Sequence, residues 1–190
     1  MKPLYLASTS PRRLELMQQI GLNPQVLSVS VDESALPNES PHSFVRRLAV
    51  EKAQASFNSV SSNAVWVVGG DTIVVADGQV LGKPRDKADY MRMLKLLSGK
   101  VHDVLSAVAL VHDGVVRSAV NSSQVWMRSL KNSELEAYWA SGEPKGKAGG
   151  YAIQGRAARF IQRIDGSYSG IMGLPLFELD QLLQKAGFYD

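Results

Sequence analysis

Apolar and polar residues alternate with two different periods along this chain, and each change of period marks an element. Leu4, Tyr5, Leu6 and Ala7 form a short apolar run ending in the polar Ser8-Thr9-Ser10, which predicts a strand entering a loop. Ser10-Pro11 then has the form of a helix start, a capping side chain followed by proline at the first helical position. Leu14, Met17 and Ile20 recur at helical spacing and Gly21 supplies a stop, so a helix is predicted over 11–20. Residues 25–31 (QVLSVSV) predict a second strand, followed by Asp32-Glu33 and a loop with proline and serine. The Ser-Pro start recurs at Ser40-Pro41. There Phe44, Val45, Leu48, Ala49 and Ala53 form the apolar stripe of a second helix that carries Lys52 in its C-terminal half.

The continuous apolar stretch 64–68 (AVWVV) suits a buried central strand running into Gly69-Gly70-Asp71-Thr72. Asp77-Gly78 between apolar runs predicts a hairpin over 73–81, which ends at Gly82-Lys83-Pro84. A third helix is predicted over 86–98, with Asp86 as cap, and a second hairpin over 102–127 turning at Asp113-Gly114. Ser133 and Glu136 have capping-box spacing for a short helix ending near Gly142. The segment 145–155 (KGKAGGYAIQG) is too glycine-rich to be regular throughout and is a candidate site wall. A last strand is expected over 158–164, and Pro175 opens a C-terminal helix with Leu179, Leu182 and Leu183 on its core side. Helices mixed with hairpins predict an α/β (α+β mixed) fold: a mixed, largely antiparallel-containing twisted sheet flanked by helices. It fits one domain over 1–190, or two lobes sharing a sheet around a cleft.

Composition narrows the chemistry. Hydrophobic residues make up 45% of the 190 positions and charged residues 21%, enough apolar material for a core, so a disordered chain is excluded. The absence of cysteine excludes disulfides, thiolate metal sites and thiol nucleophiles. Twenty-one basic against 18 acidic side chains give a net charge of only +3, which argues against a general nucleic-acid-binding surface. The N-terminus has no signal-peptide core and no run approaches a membrane span, so a soluble, cytoplasmic protein without a membrane partner is expected.

Gly82-Lys83, Gly99-Lys100 and Gly146-Lys147 all lack the P-loop context, and no Rossmann glycine fingerprint follows a strand. Serine-hydrolase and zinc-ligand spacings are also missing around His42, His102 and His112. What remains is polar residues at strand ends: Ser8, Arg12 and Arg13 after the first strand, Glu33 after the second, Asp71 and Thr72 at the buried one, and Lys83 after the hairpin. Two arginines in a first helical turn oppose the helix dipole, which suggests an anion beside them. Four cations (Arg12, Arg13, Lys52, Lys83) with two carboxylates (Glu33, Asp71) have the composition of a polyphosphate site with a hard divalent ion. Each has an ordinary reading when taken alone: the arginines, Lys52 and Lys83 as solvated surface residues, Glu33 as a loop carboxylate, Gln154 as a hydrogen-bonded loop amide. Asp71 is hardest to dismiss, because an acid directly after AVWVVGG sits near a buried strand end and needs a partner or a metal.

Seven segments in order, ASTSPRR, VDES, VRRLAVEKA, GGDTIV, LGKPRD, KAGGYAIQG and GSYSGIMGLPL, closely resemble the Maf family of nucleoside triphosphate pyrophosphatases over nearly the whole chain. Arg12, Thr72 and Gln154 are similar to the branch acting on dTTP and UTP, not the one acting on 7-methyl-GTP. The resemblance implies hydrolysis to the nucleoside monophosphate and pyrophosphate. Asp71 would be the general base or a metal-associated acid, and Glu33 with Asp71 would hold a divalent ion: magnesium, manganese or cobalt. Ser8, Arg12, Arg13, Lys52 and Lys83 would bind triphosphate, while Thr72 and Gln154 would face the base. A monomer and a homodimer are equally open. The alternative is a non-catalytic nucleotide- or nucleic-acid-binding regulator linked to septum formation, which the small net charge disfavours.

Overall fold

The computed structural model describes residues 2–60, 62 and 64–190. Its elements follow in the order β1 (Leu4–Ala7), α1 (Pro11–Gln19), β2 (Gln25–Val26), α2 (Pro41–Asn58), β3 (Trp66–Ala76), β4 (Gln79–Leu81), α3 (Lys87–Leu97), β5 (Val101–His112), β6 (Val115–Met127), α4 (Asn132–Ala140), β7 (Ile161–Asp165), α5 (Tyr168–Met172) and α6 (Leu176–Lys185). Two 3₁₀ turns, Ala148–Gly150 and Arg156–Phe160, lie between α4 and β7. The seven strands form one mixed sheet in the order β2-β1-β3-β5-β6-β7, with β4 also paired to β3. Both predicted hairpins form. Asp77-Gly78 and Asp113-Gly114 have positive φ at both turn positions, as a tight two-residue connection requires.

β3 organises the sheet. It pairs antiparallel with β5 from Trp66 opposite His112 to Val75 opposite Asp103. On its other edge β1 runs parallel beside Trp66–Gly69, and β4 runs antiparallel beside Val74–Ala76. Among the described residues, Gly70–Ile73 therefore lack a strand partner on that edge, and the sheet splits there. Alternation along β3 sends Trp66 and Val68 into a core with β1, α1 and α6, whereas Ile73 packs with Val45, Ala49 and Ala53 of α2. A third core joins Val74 to α3, α4 and the 3₁₀ turns.

Four expectations need correction. The second strand is two residues long, not seven, because β1 itself is short. Leu27 N–H makes the last bond, to Leu6 O, before the first strand turns away into α1. The buried strand does not stop at the glycines: it continues through Gly69-Gly70-Asp71-Thr72, held in register by β5. Ser133 does not start a capping box: α4 begins after Lys131, and the Glu134 carboxylate accepts from the Lys131 N–H at 3.0 Å without a reciprocal side-chain cap. Arg156–Phe160 is a 3₁₀ turn, so the last strand starts only at Ile161. The five-residue α5, started by Ser167 Oγ accepting from Gly170 N–H, was not anticipated.

Gly69 lets α2 lie directly on β3: a Cβ built there would sit 2.3 Å from Ala49 O and 2.8 Å from Ala53 N. Both are helix backbone atoms and cannot yield singly. Gly69→Ala is expected to cost at least about 3 kcal/mol, read as a lower urea midpoint with an unchanged slope.

Candidate active site

The split in the sheet edge forms the site. One side carries β1 and the start of α1, the other carries β4 and the glycine-rich segment, and β3 crosses the floor. The resulting cavity has a volume of about 590 Å³. It is lined by Ser8, Arg12, Arg13, Glu33, Lys52, Asp71, Thr72, Lys83 and Gln154, so every residue singled out in the sequence reaches one space.

Asp71 and Thr72 are adjacent on an extended strand and point to opposite faces of the sheet. Asp71 faces α2, where Lys52 Nζ lies 2.7 Å from its Oδ1 and 2.6 Å from Glu33 Oε1. Lys52 thus bridges both carboxylates, and the Lys52 and Asp71 side chains are each only 12% exposed. The hydrogen bond from Lys52 holds Glu33 below the ordinary glutamate range against the opposing effect of burial, and the charges of Lys83 and Arg13 add to it. Lys83 Nζ is 3.9 Å from the other oxygen of Glu33. The irregular segment carrying Glu33 is strapped to α2 by Arg47, which donates to Glu39 Oε1 at 2.7 Å and to Ser34 O at 2.9 Å. This pairing brings the Glu39 carboxyl down to about 2.

Thr72 faces the other side. Its Oγ1 is 2.8 Å from Ser106 Oγ, donates to Gly173 O at 3.2 Å and accepts from Arg13 Nη2 at 3.4 Å. Arg13 also donates to Gly173 O at 2.8 Å and to Ser8 Oγ at 3.2 Å, so its fork ties α1, β3 and the loop after α5 together. Burial lowers the Arg13 pKa, with the charge of Asp71 opposing. Arg12 is more open: its Nε donates to Met172 O at 3.3 Å, and burial again lowers its pKa. Ser10 does not cap α1 through its side chain; its own N–H is taken by Ser8 Oγ at 3.2 Å. Gln154 is exposed at the rim.

Sequence reasoning missed Lys145, Lys147 and Tyr151 in the lining, and Ser106 behind Thr72. The first three lie in the glycine-rich segment already suspected as a wall. Ser106 gave no signal, since only strand register sets it opposite Thr72. With the two added lysines, six cations and two carboxylates line the cavity, a surplus of four positive charges.

Among the described residues no group of three or more His, Cys, Asp or Glu side chains converges. Glu33 and Asp71 do converge on a single cation, the Lys52 ammonium, which stands where positive charge is wanted. Two carboxylates suit magnesium-like ions, which take one or two protein carboxylates and complete their shell with water and substrate phosphate. The residues fit.

The family model for Maf-like protein matches residues 3–186. The chain belongs to the Maf family. Curated relatives span nearly the same length. The dTTP/UTP pyrophosphatase of Hydrogenovibrio crunogenus is 53% identical over 186 residues, covering 98% of this chain and 97% of the relative. Those of Alkalilimnicola ehrlichii and Vibrio cholerae are each 50% identical, covering 96% of this chain and 92% and 97% of the relatives. Among the described residues, no helix of this Maf protein is long and apolar enough to cross a membrane.

Beneath the Maf cavity, Tyr151 OH lies 2.8 Å from Nε2 of the buried His102, whose Nδ1 has no partner among the described residues. Burial pushes His102 down to about 4. Because the folded value lies below the unfolded one of about 6.5, this contribution is complete above pH 6.5 and is lost as pH falls toward 4. Unfolding free energy should drop by up to roughly 3 kcal/mol over that window. His102→Gln should flatten the slope in urea titrations run across it.

Proposed function

We propose that this Maf protein hydrolyses dTTP and UTP to the nucleoside monophosphate and pyrophosphate. The observation that carries this reading is the cavity's surplus of positive charge around a convergent carboxylate pair, which complements a triphosphate of roughly four negative charges at neutral pH. The names of the curated relatives support the same substrates.

In this reading Arg12 and Lys83 grip phosphate oxygens, with Arg13 and Ser8 forming the wall behind them. Asp71 takes the proton from the water that attacks the α-phosphorus. A divalent ion held by Glu33 and Asp71 would neutralise charge on the phosphate oxygens. Lys52, released from the carboxylates, turns its ammonium to the phosphates, and pyrophosphate leaves. Thr72, fixed by Ser106 and Gly173, and Gln154 at the rim read the base. Modified pyrimidine nucleotides belong to the same proposed substrate class. The proposed compartment is the cytoplasm, where nucleoside triphosphates are made and consumed.

The deciding assay incubates the protein with UTP, dTTP, CTP, GTP and 5-methylated pyrimidine triphosphates, with magnesium, manganese or cobalt. Equimolar monophosphate and pyrophosphate from UTP and dTTP are expected. Orthophosphate with diphosphate would contradict the reading, and salt-sensitive DNA binding without turnover would favour a regulator. Asp71→Asn should lower kcat on the order of 10³-fold with little change in melting temperature; an equal loss of stability would make Asp71 structural. Thr72→Val should cut the preference for UTP over CTP about tenfold, measured as the ratio of kcat/KM values.

A further inference from the structure

The glycine-rich segment is the part of the cavity wall to which the proposed reaction assigns least, and it carries a cation that no ion pair ties down among the described residues. Lys147 lines the cavity, and among the described residues no carboxylate lies within ion-pair distance of it. Lys52 and Lys83 differ from it, since both are tied to Glu33. Lys145 differs too: its ammonium lies 5.7 Å from the Trp139 ring centroid, a cation–π contact that Lys147 does not share.

The backbone around Lys147 is firmly seated. Gly149 N–H donates to Gly82 O at 3.0 Å, fastening the segment to the residue before Lys83. Gly149 and Gly150 both have positive φ, and a Cβ on either would meet Val74 at 2.9 Å or Tyr90 and Leu94 at 3.0 Å. The segment therefore lies flat against β3 and α3, and Lys147 is held on the β4 side of the split while Arg12 stands on the β1 side. Arg12 also lacks a carboxylate within ion-pair distance among the described residues. Burial lowers the Lys147 pKa and the neighbouring charge of Arg12 lowers it further, with the charge of Glu143 opposing. Two partly desolvated cations brought near each other are unfavourable until an anion enters between them.

We infer that Lys147 and Arg12 form a clamp from opposite walls on the terminal two phosphates of the substrate, the part that leaves as pyrophosphate. The carboxylates mark where the α-phosphorus reacts; of the four lining cations without an ion-paired carboxylate among the described residues, Arg13 is engaged by Gly173, Ser8 and Thr72 and Lys145 by Trp139, which leaves Lys147 and Arg12 for the end of the chain that carries most of its charge. This rests on the proposed pyrophosphatase reading, and it can be tested apart from turnover.

Pyrophosphate itself is the probe, titrated calorimetrically into the full-length wild-type protein and into Lys147→Ala, Lys147→Arg and Lys95→Ala, the last removing one exposed charge from α3. Pyrophosphate affinity should fall about tenfold in Lys147→Ala, recover largely in Lys147→Arg and stay within twofold in Lys95→Ala. UMP affinity should change less than twofold throughout. In the hydrolysis assay Lys147→Ala should raise KM for UTP about tenfold with a smaller effect on kcat. Unchanged pyrophosphate affinity in a folded Lys147→Ala protein would overturn the clamp, as would equal loss for UMP and pyrophosphate. If wild type binds pyrophosphate through Lys147 yet cleaves no nucleotide, the clamp stands and the pyrophosphatase reading fails. If wild type binds no pyrophosphate, the clamp fails.

Discussion

The Lys52 ammonium, shared between Glu33 and Asp71, is the contact on which the site depends. Without it two carboxylates would face each other in a half-closed space, and their repulsion would push the segment bearing Glu33 off the sheet. That segment has no regular structure, so little besides Lys52 and the Arg47 strap determines where it lies. Removing Lys52 would cost several times more than breaking an exposed pair, because the shielded Asp71 would keep its desolvation penalty with no cation beside it. Position on α2 matters equally. The helix lies close enough to β3 only because Gly69 leaves room for its backbone, so a glycine two residues before Asp71 sets the reach of Lys52.

Charge is concentrated where it is used. The net charge of the whole chain is +3, whereas the cavity lining alone has a surplus of four. The remaining surface is close to balanced, so it does not attract polyanions in general. In the proposed reading an anion is held only where cations from α1, α2, the loop after β4 and the glycine-rich segment line one cavity. A cleft with low-dielectric walls strengthens that attraction relative to an exposed basic patch of equal charge.

Much of this architecture is legible in the sequence because it depends on local rules. The Asp-Gly turns and the proline-started helices announce themselves within a few residues. So does the apolar run of β3, and the charged site residues follow from their places after strands. What escaped depends on pairing between distant segments. β2 is short because β1 is short, and β3 continues through two glycines because β5 supplies the register. Ser106 becomes relevant only through its position opposite Thr72. Lys147 lay within a segment already marked as a wall, yet nothing in its neighbours along the chain distinguishes it from Lys145; their surroundings in the fold do.

The pleat of β3 puts Asp71 and Thr72 on opposite sides of one sheet although they are bonded neighbours. In the proposed reading, proton transfer and base discrimination consequently rest on two different packing environments, one built by α2 and the other by α1, Ser106 and the turn at Gly173. Substitutions behind Thr72 can remodel the nucleobase pocket while leaving the carboxylate and its lysine undisturbed. A single scaffold can in this way diversify its choice of nucleotide without rebuilding its hydrolytic apparatus.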